Sequence, residues 1–199
     1  MKVDGKSKIL AAARIVISQH GANRATVRAI AEEAGMSTGA IYHYYKNKDD
    51  IFYDLLDDSL SDSTRIAKGM LNEELAKDRV IKEIVQKTEE RLKKDTENRL
   101  QYHFAHEILL GNEELQEKFT QKYQEWNLRI EEILINLYGL KETPLNKALS
   151  SWLLGAVDGV ILQNLLEVNE NTEEDMLEIF ELLLDKGLPQ FIQILNESK

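Results

Sequence analysis

Between residues 26 and 45 the sequence reads TVRAIAEEAGMSTGAIYHYY, followed closely by Lys46 and Lys48. Hydroxyls, aromatics and cations at this spacing suit the recognition of a phosphate backbone and base edges. Thr26 and Ser37 each precede a short run of helix formers and can cap it. Gly35 lies where the chain must turn through the left-handed region. Ala31 and Ala34 are small enough for two helices to cross closely, and Met36 and Ile41 face a core. The second run presents Thr38, Gly39, Tyr42, His43 and Tyr44, with Gly39 leaving backbone bare where it would meet nucleic acid. Two short helices joined by a glycine turn form a helix-turn-helix, whose second helix enters the major groove N-terminus first.

Elsewhere the chemistry is sparse. His103, His106 and Glu107 stand three and four residues apart on a helix, but no third or fourth metal ligand lies near them in sequence. A His103–Glu107 pair within the helix is the simpler reading, and no metal site is assigned. Asp158, next to Gly159, is a tempting cation anchor by residue type alone. There is no GxSxG, Walker-type loop, GxGxxG or HExxH motif, so the chain is read as no enzyme and no cofactor is expected.

The elements that hold these residues are all helical. Across 199 residues there are only two prolines, no cysteine and no sustained alternation of period two. Without cysteine there is no disulfide framework, which suits a cytoplasmic location. The longest uncharged apolar run, Ala148–Val157, is too short to span a bilayer, and the N-terminus lacks the apolar core of a signal peptide; no membrane is expected. Helices are expected over 5–20, 27–34, 38–45, from 48 to about 70–76, 78–94, 97–110, 113–138, 144 to about 168, and from 173 until Gly187 and Pro189 break the last one. Gly21, Gly35, Gly111 and Gly139 punctuate them. The 97–110 segment is apolar nearly all round, which predicts burial on all sides.

A net charge of −10 argues against a nucleic-acid partner only if it is evenly spread. The first fifty residues carry eight basic and five acidic side chains, net +3, leaving −13 for the rest. A head of +3 neutralises few phosphates, so one copy should bind DNA weakly and two copies on a palindrome better. The pattern therefore asks for a homodimer.

The pattern of Thr26, Ile30–Ala31, Ala34–Gly35, Ser37, Gly39, Ile41–Tyr42, Lys46, Lys48 and Ile51 resembles the tetracycline-repressor (TetR) family of bacterial transcription regulators. Three positions depart mildly: Ala29 where an acidic or polar residue is common, Met36 where Val is usual, and Tyr45 where Phe is usual. The resemblance implies an all-α fold of about nine helices, with a helix-turn-helix DNA-binding domain at 1–47 and a ligand-binding and dimerisation domain at 48–199. It implies DNA contacts from Thr26, Arg28, Ser37, Thr38, Gly39, Tyr42, His43, Tyr44, Lys46 and Lys48. It places a small-molecule effector beside Tyr102, His103, His106 and Glu107, with Phe119, Tyr123, Trp126 and Trp152 as aromatic walls. It pairs the last two long helices with those of a second copy through Leu149, Leu153, Ala156, Val157, Val160, Ile161, Ile179 and Leu183. The function it implies is a ligand-responsive repressor, binding a palindromic operator as a homodimer and released by a small molecule. The competing reading is a ligand-independent, chromosome-organising or partner-recruiting DNA-binding factor.

Overall fold

The computed structural model describes residues 4–60 and 77–197, apart from the side chains of Ser59 and Leu60. Among them the chain is helical: α1 Gly5–His20, α2 Val27–Ala34, α3 Thr38–Tyr42, α4 Lys48–Leu60, α5 Lys77–Leu92, α6 Asp95–Leu109, α7 Glu113–Tyr138, α8 Asn146–Leu165, α9 Glu173–Leu182 and α10 Leu188–Glu197. The expected end of α4 near 70–76, with Gly69 and Asn72, lies outside the described residues.

Local chemistry fixes most boundaries. The Thr26 hydroxyl oxygen accepts from Ala29 N at 3.1 Å, and that of Ser37 from Ala40 N at 3.1 Å. Asn47 Oδ1 accepts from Asp50 N at 2.8 Å where α4 begins. Thr172 and Asp175 make a reciprocal capping box at α9. Gly35 closes α2 in the left-handed conformation, with φ of 61°. The α3 helix stops at Tyr42, three residues short of the expected 45; Tyr44 N and Tyr45 N both donate to Ile41 O in a closing turn.

Two proline expectations need correction. Pro144 is not the first residue of α8, which begins at Asn146. Thr143 instead organises the turn: its hydroxyl oxygen accepts from Leu145 N at 3.2 Å and donates to Asn146 Oδ1 at 2.7 Å. Nor do Gly187 and Pro189 end the last helix. The chain passes through a π-helical turn, Leu183–Gly187, into α10. There Leu188 N donates to Leu183 O, five residues back. The same register would point Pro189 at Leu184 O, but proline has no N–H to give. The Tyr138 hydroxyl supplies the donor, at 2.7 Å from Leu184 O.

The described residues fall into two compact units, 4–60 with 94–112, and 77–93 with 113–197. In the first, α1 packs on α2, α4 and α6, and α4 packs on α6. Its core includes Ile9, Ala13, Ile30, Ile41, Phe52, Leu55, Leu100 and Phe104. Thus α6 is not buried on all sides. Leu100, Gln101 and Phe104 turn inward, His106 is exposed, and Leu109 and Leu110 lie in solvent at 84% and 71% exposure. In the second unit, Ile81, Leu134, Leu140, Leu184, Leu188 and Ile192 form one cluster, with Leu149 and Leu153 packed against it.

The α8 helix is longer and more apolar than its uncharged run suggests. Its 20 residues, with mean hydropathy 1.2, suffice by length and composition to cross a membrane. The sequence argument counted only up to Asp158, and a single acid does not end an apolar helix. Here Asp158 accepts a hydrogen bond from the Tyr123 hydroxyl at 2.8 Å, and Ile161 is buried.

Replacing Tyr138 with Phe removes the donor to Leu184 O and keeps the ring. A carbonyl left without its partner predicts a loss of about 1–2 kcal/mol, read from urea denaturation with an unchanged m-value.

Candidate nucleic-acid interface

A helix of five residues cannot hold itself in water, so α3 depends on its surroundings. Ile41 is fully buried beneath it, and Ser37 caps its start. What remains outward is the strip expected from sequence: Ser37, Thr38, Gly39, Tyr42, His43, Tyr44 and Lys46 are all exposed, Tyr42 at 57%. Tyr45, by contrast, is buried. A Cβ on Gly39 would meet only Ser37 Oγ, at an ordinary 3.8 Å. Nothing among the described residues requires glycine there, so the bare backbone leaves room for an outside partner. Ser37 spends its oxygen on the cap, but its O–H can still donate to a phosphate.

The cations are less free than the sequence suggested. Arg28 is 83% exposed on its side chain and pairs with Glu32, Nε to Oε1, at 2.9 Å. Lys48 is only half exposed. Its ammonium donates to Ala22 O at 3.3 Å and lies 5.6 Å from the centroid of the Phe52 ring. Lys48 therefore ties α4 to the loop after α1, and at most part of its donor capacity is left for phosphate. Lys46 is exposed, and Thr26, also exposed, uses its hydroxyl oxygen as the α2 cap.

Sequence reasoning missed the pair formed by Arg14 and Glu97, with Nε to Oε1 at 2.5 Å. Glu97 is 4% exposed and belongs to α6, so a buried carboxylate joins α6 to α1. The two residues are 83 positions apart, a distance at which no sequence period connects them.

The residues expected around an effector separate into two groups. Tyr102, His103, His106 and Glu107 lie on α6 in the first unit. His103 is half-buried, its ring 5.8 Å from that of Phe104. Burial lowers its pKa from the ordinary 6.5, opposed by the Glu107 carboxylate and reinforced by the Lys48 ammonium. Phe119, Tyr123 and Trp126 form a row on α7 in the second unit, with ring centroids 6.3 and 5.0 Å apart along it. Tyr123 there reaches Asp158 on α8. Trp152 is a surface residue, 75% exposed.

The residues expected to meet a second copy also divide. Ile161 faces the interior at 1% exposure, so it is unavailable to a partner; Leu149 and Leu153 pack largely inward. Ala156, Ile179 and Leu183 are exposed, and Val157 and Val160 are half-buried.

A capped short helix with an outward strip, held by three packed helices, defines a helix-turn-helix head. Residues 9–55 match the family model described as bacterial regulatory proteins, tetR family. An HTH-type transcriptional repressor of Mycobacterium tuberculosis is 40% identical over 50 residues, covering 25% of this chain and 27% of that protein. The chain thus spans about a quarter of the length of that relative. Among solved structures, a transcriptional regulator from Rhodococcus sp. matches with a TM-score of 0.64 at 22% identity, covering 96% of this chain and 97% of that one. FadR from Bacillus subtilis, solved in complex with stearoyl-CoA, matches with a TM-score of 0.67 at 22% identity, covering 90% and 97%. Residues 9–55 thus carry a helix-turn-helix domain of the tetR family, and the fold along nine-tenths of the chain is shared with these solved structures.

Removing the Arg14 guanidinium by Arg14→Ala leaves the Glu97 carboxylate buried without that partner. The half-exposed arginine limits the loss, so about 2 kcal/mol is expected from chemical denaturation, with a smaller loss for Glu97→Gln.

Proposed function

We propose that this chain is a ligand-responsive transcriptional repressor that binds a palindromic operator as a homodimer in the cytoplasm and is released by a small molecule. The observation that carries the reading is the exposed strip Thr38–Gly39–Tyr42–His43 on a helix capped by Ser37 and anchored by Ile41. Its N–H groups and side chains suit phosphate and base edges together. In this reading residues 1–47 are the DNA-reading domain and 48–199 the domain for effector and partner.

The homodimer is supported by an uncovered apolar face. On α8, Trp152, Leu162 and the adjoining Leu166 are exposed; on α9, Ile179 and Leu182 are exposed. Among the described residues a Cβ on Gly155 or Gly159 would meet nothing within 4 Å, so none of their packing calls for these small residues. Flat small-residue strips of this kind let a second helix approach closely. A head of net +3 also gains little affinity from one copy.

The effector is supported by the FadR neighbour, whose structure holds stearoyl-CoA. A ligand releases DNA only by binding the DNA-incompetent state more tightly than the competent one. The residues we assign to effector binding are His103, His106 and Glu107 within the first unit and, taken by itself, the Phe119–Tyr123–Trp126 row within the second.

Selection of bound duplexes from a random pool tests the reading. An inverted repeat is expected, with affinity falling steeply as salt rises. Tyr42→Ala should weaken binding to the selected duplex on the order of tenfold, with no change in the urea midpoint. Recovery of sequences without dyad symmetry, or equal binding by Tyr42→Ala, would defeat it. Sedimentation gives the partner test: Trp152→Glu should shift a dimer to monomer, because an unpaired carboxylate would be buried at the seam.

A further inference from the structure

The two tyrosines that follow the recognition helix are held by the first turn of α1. Tyr44 lies directly on Gly5: a Cβ there would stand 2.8 Å from Tyr44 Cζ, and closer still to its hydroxyl oxygen. Only a residue without a side chain lets the ring occupy that place. The next residue, Lys6, reaches two other elements at once. Its Nζ pairs with Asp54 Oδ2 of α4 at 2.7 Å and sits 5.8 Å from the centroid of the buried Tyr45 ring. The Tyr45 hydroxyl is enclosed, with the Asp54 carboxylate beside it. Burial, with the nearby Asp54 carboxylate second, pushes that phenol well above its usual range. Gly5, Lys6, Tyr44, Tyr45 and Asp54 therefore form one cluster joining α1, the end of the α3 turn and α4.

We propose that the first turn of α1 is the positioning element of the recognition helix, with Gly5 seating Tyr44 and the Lys6–Asp54 pair seating Tyr45, and that Lys6 acts there and not as a phosphate ligand. The inference rests on the DNA-binding reading of α3 and adds residues that the helix-turn-helix pattern does not include. Net charge alone would count Lys6 among the cations facing DNA. Its geometry says otherwise. An ammonium already paired with a carboxylate presents a neutral pair to the duplex and releases few counterions. What it does contribute is a fixed relation between three elements, which raises the fraction of molecules whose α3 is set to bind.

Asp54→Asn separates the two roles because they predict opposite signs. It breaks the pair, keeps the side-chain shape and leaves Lys6 charged. A positioning role predicts DNA affinity lower by about three- to tenfold; a phosphate ligand released from its carboxylate predicts affinity unchanged or higher. Lys6→Ala should give a similar loss with the slope of log K against log salt unchanged. A slope reduced by about one per protomer would identify a phosphate contact and overturn the proposal. Gly5→Ala should also weaken binding in the wild-type background, and should have no further effect in a Tyr44→Ala background, where the obstructing ring is gone. An additive effect would overturn the seating of Tyr44. Urea midpoints taken alongside identify any variant whose loss is general unfolding, and in that case Asp54→Asn, the smallest change, decides. The probe throughout is the duplex selected with the full chain. If the wild type selects no duplex, both the DNA-binding reading and this one fall; if it binds and Asp54→Asn binds equally well, only this one does.

Discussion

The recognition helix is too short to exist by itself. Five residues make little more than one turn, and nucleating that turn costs more than its few hydrogen bonds return. Everything around it compensates. Ser37 satisfies an N–H that the helix cannot, Ile41 buries its one inward side chain completely, and Tyr45 fastens its exit into the core. With the inward positions fully committed, the outward ones are free to be polar and aromatic. A reading strip of this kind needs a rigid background, because a base edge tolerates little displacement of the group that contacts it.

The same background explains why cations are shared. Arg14, Arg28 and Lys6 are each paired with a carboxylate, and Lys48 is bonded to a backbone carbonyl. A reading head with a formal charge of +3 therefore presents less free positive charge than its count suggests. Weak attraction from one head is consistent with two heads acting together. In the proposed homodimer the apolar surface of α8 and α9 would be the place for that pairing, and the acidic remainder of the chain would repel DNA.

Much of the fold was legible because helix ends are local events. A Thr or Ser cap acts on an N–H three residues away, and a glycine at a helix end acts through its own φ, so Thr26, Gly35, Ser37, Gly139 and Thr172 could be read one window at a time. The outward strip of α3 was legible for a similar reason: once Ile41 points inward, helical spacing sends Thr38, Gly39, Tyr42 and His43 elsewhere. The expectations for 97–110 and for the effector residues fared differently. Composition showed that α6 was largely apolar, but not that Leu109 and Leu110 at its end face solvent while Gln101 is buried. Which side of an apolar helix turns inward depends on its neighbours, and a helical wheel has none.

The sequence by itself determined most of the elements, the position of the exposed strip on α3 and the division of charge between the first fifty residues and the rest. Each of these depends on residues within a few positions of one another, where propensity, capping and spacing act. Tertiary structure decided how those elements are tied together. Tyr138 donates to a carbonyl 46 residues away and carries a helix past a proline that should have ended it. Glu97 finds Arg14 across 83 residues, and Lys6 finds Asp54 on another helix. Such pairings arise only when folding brings distant groups out of water together and each must find a partner for its charge or hydrogen bond.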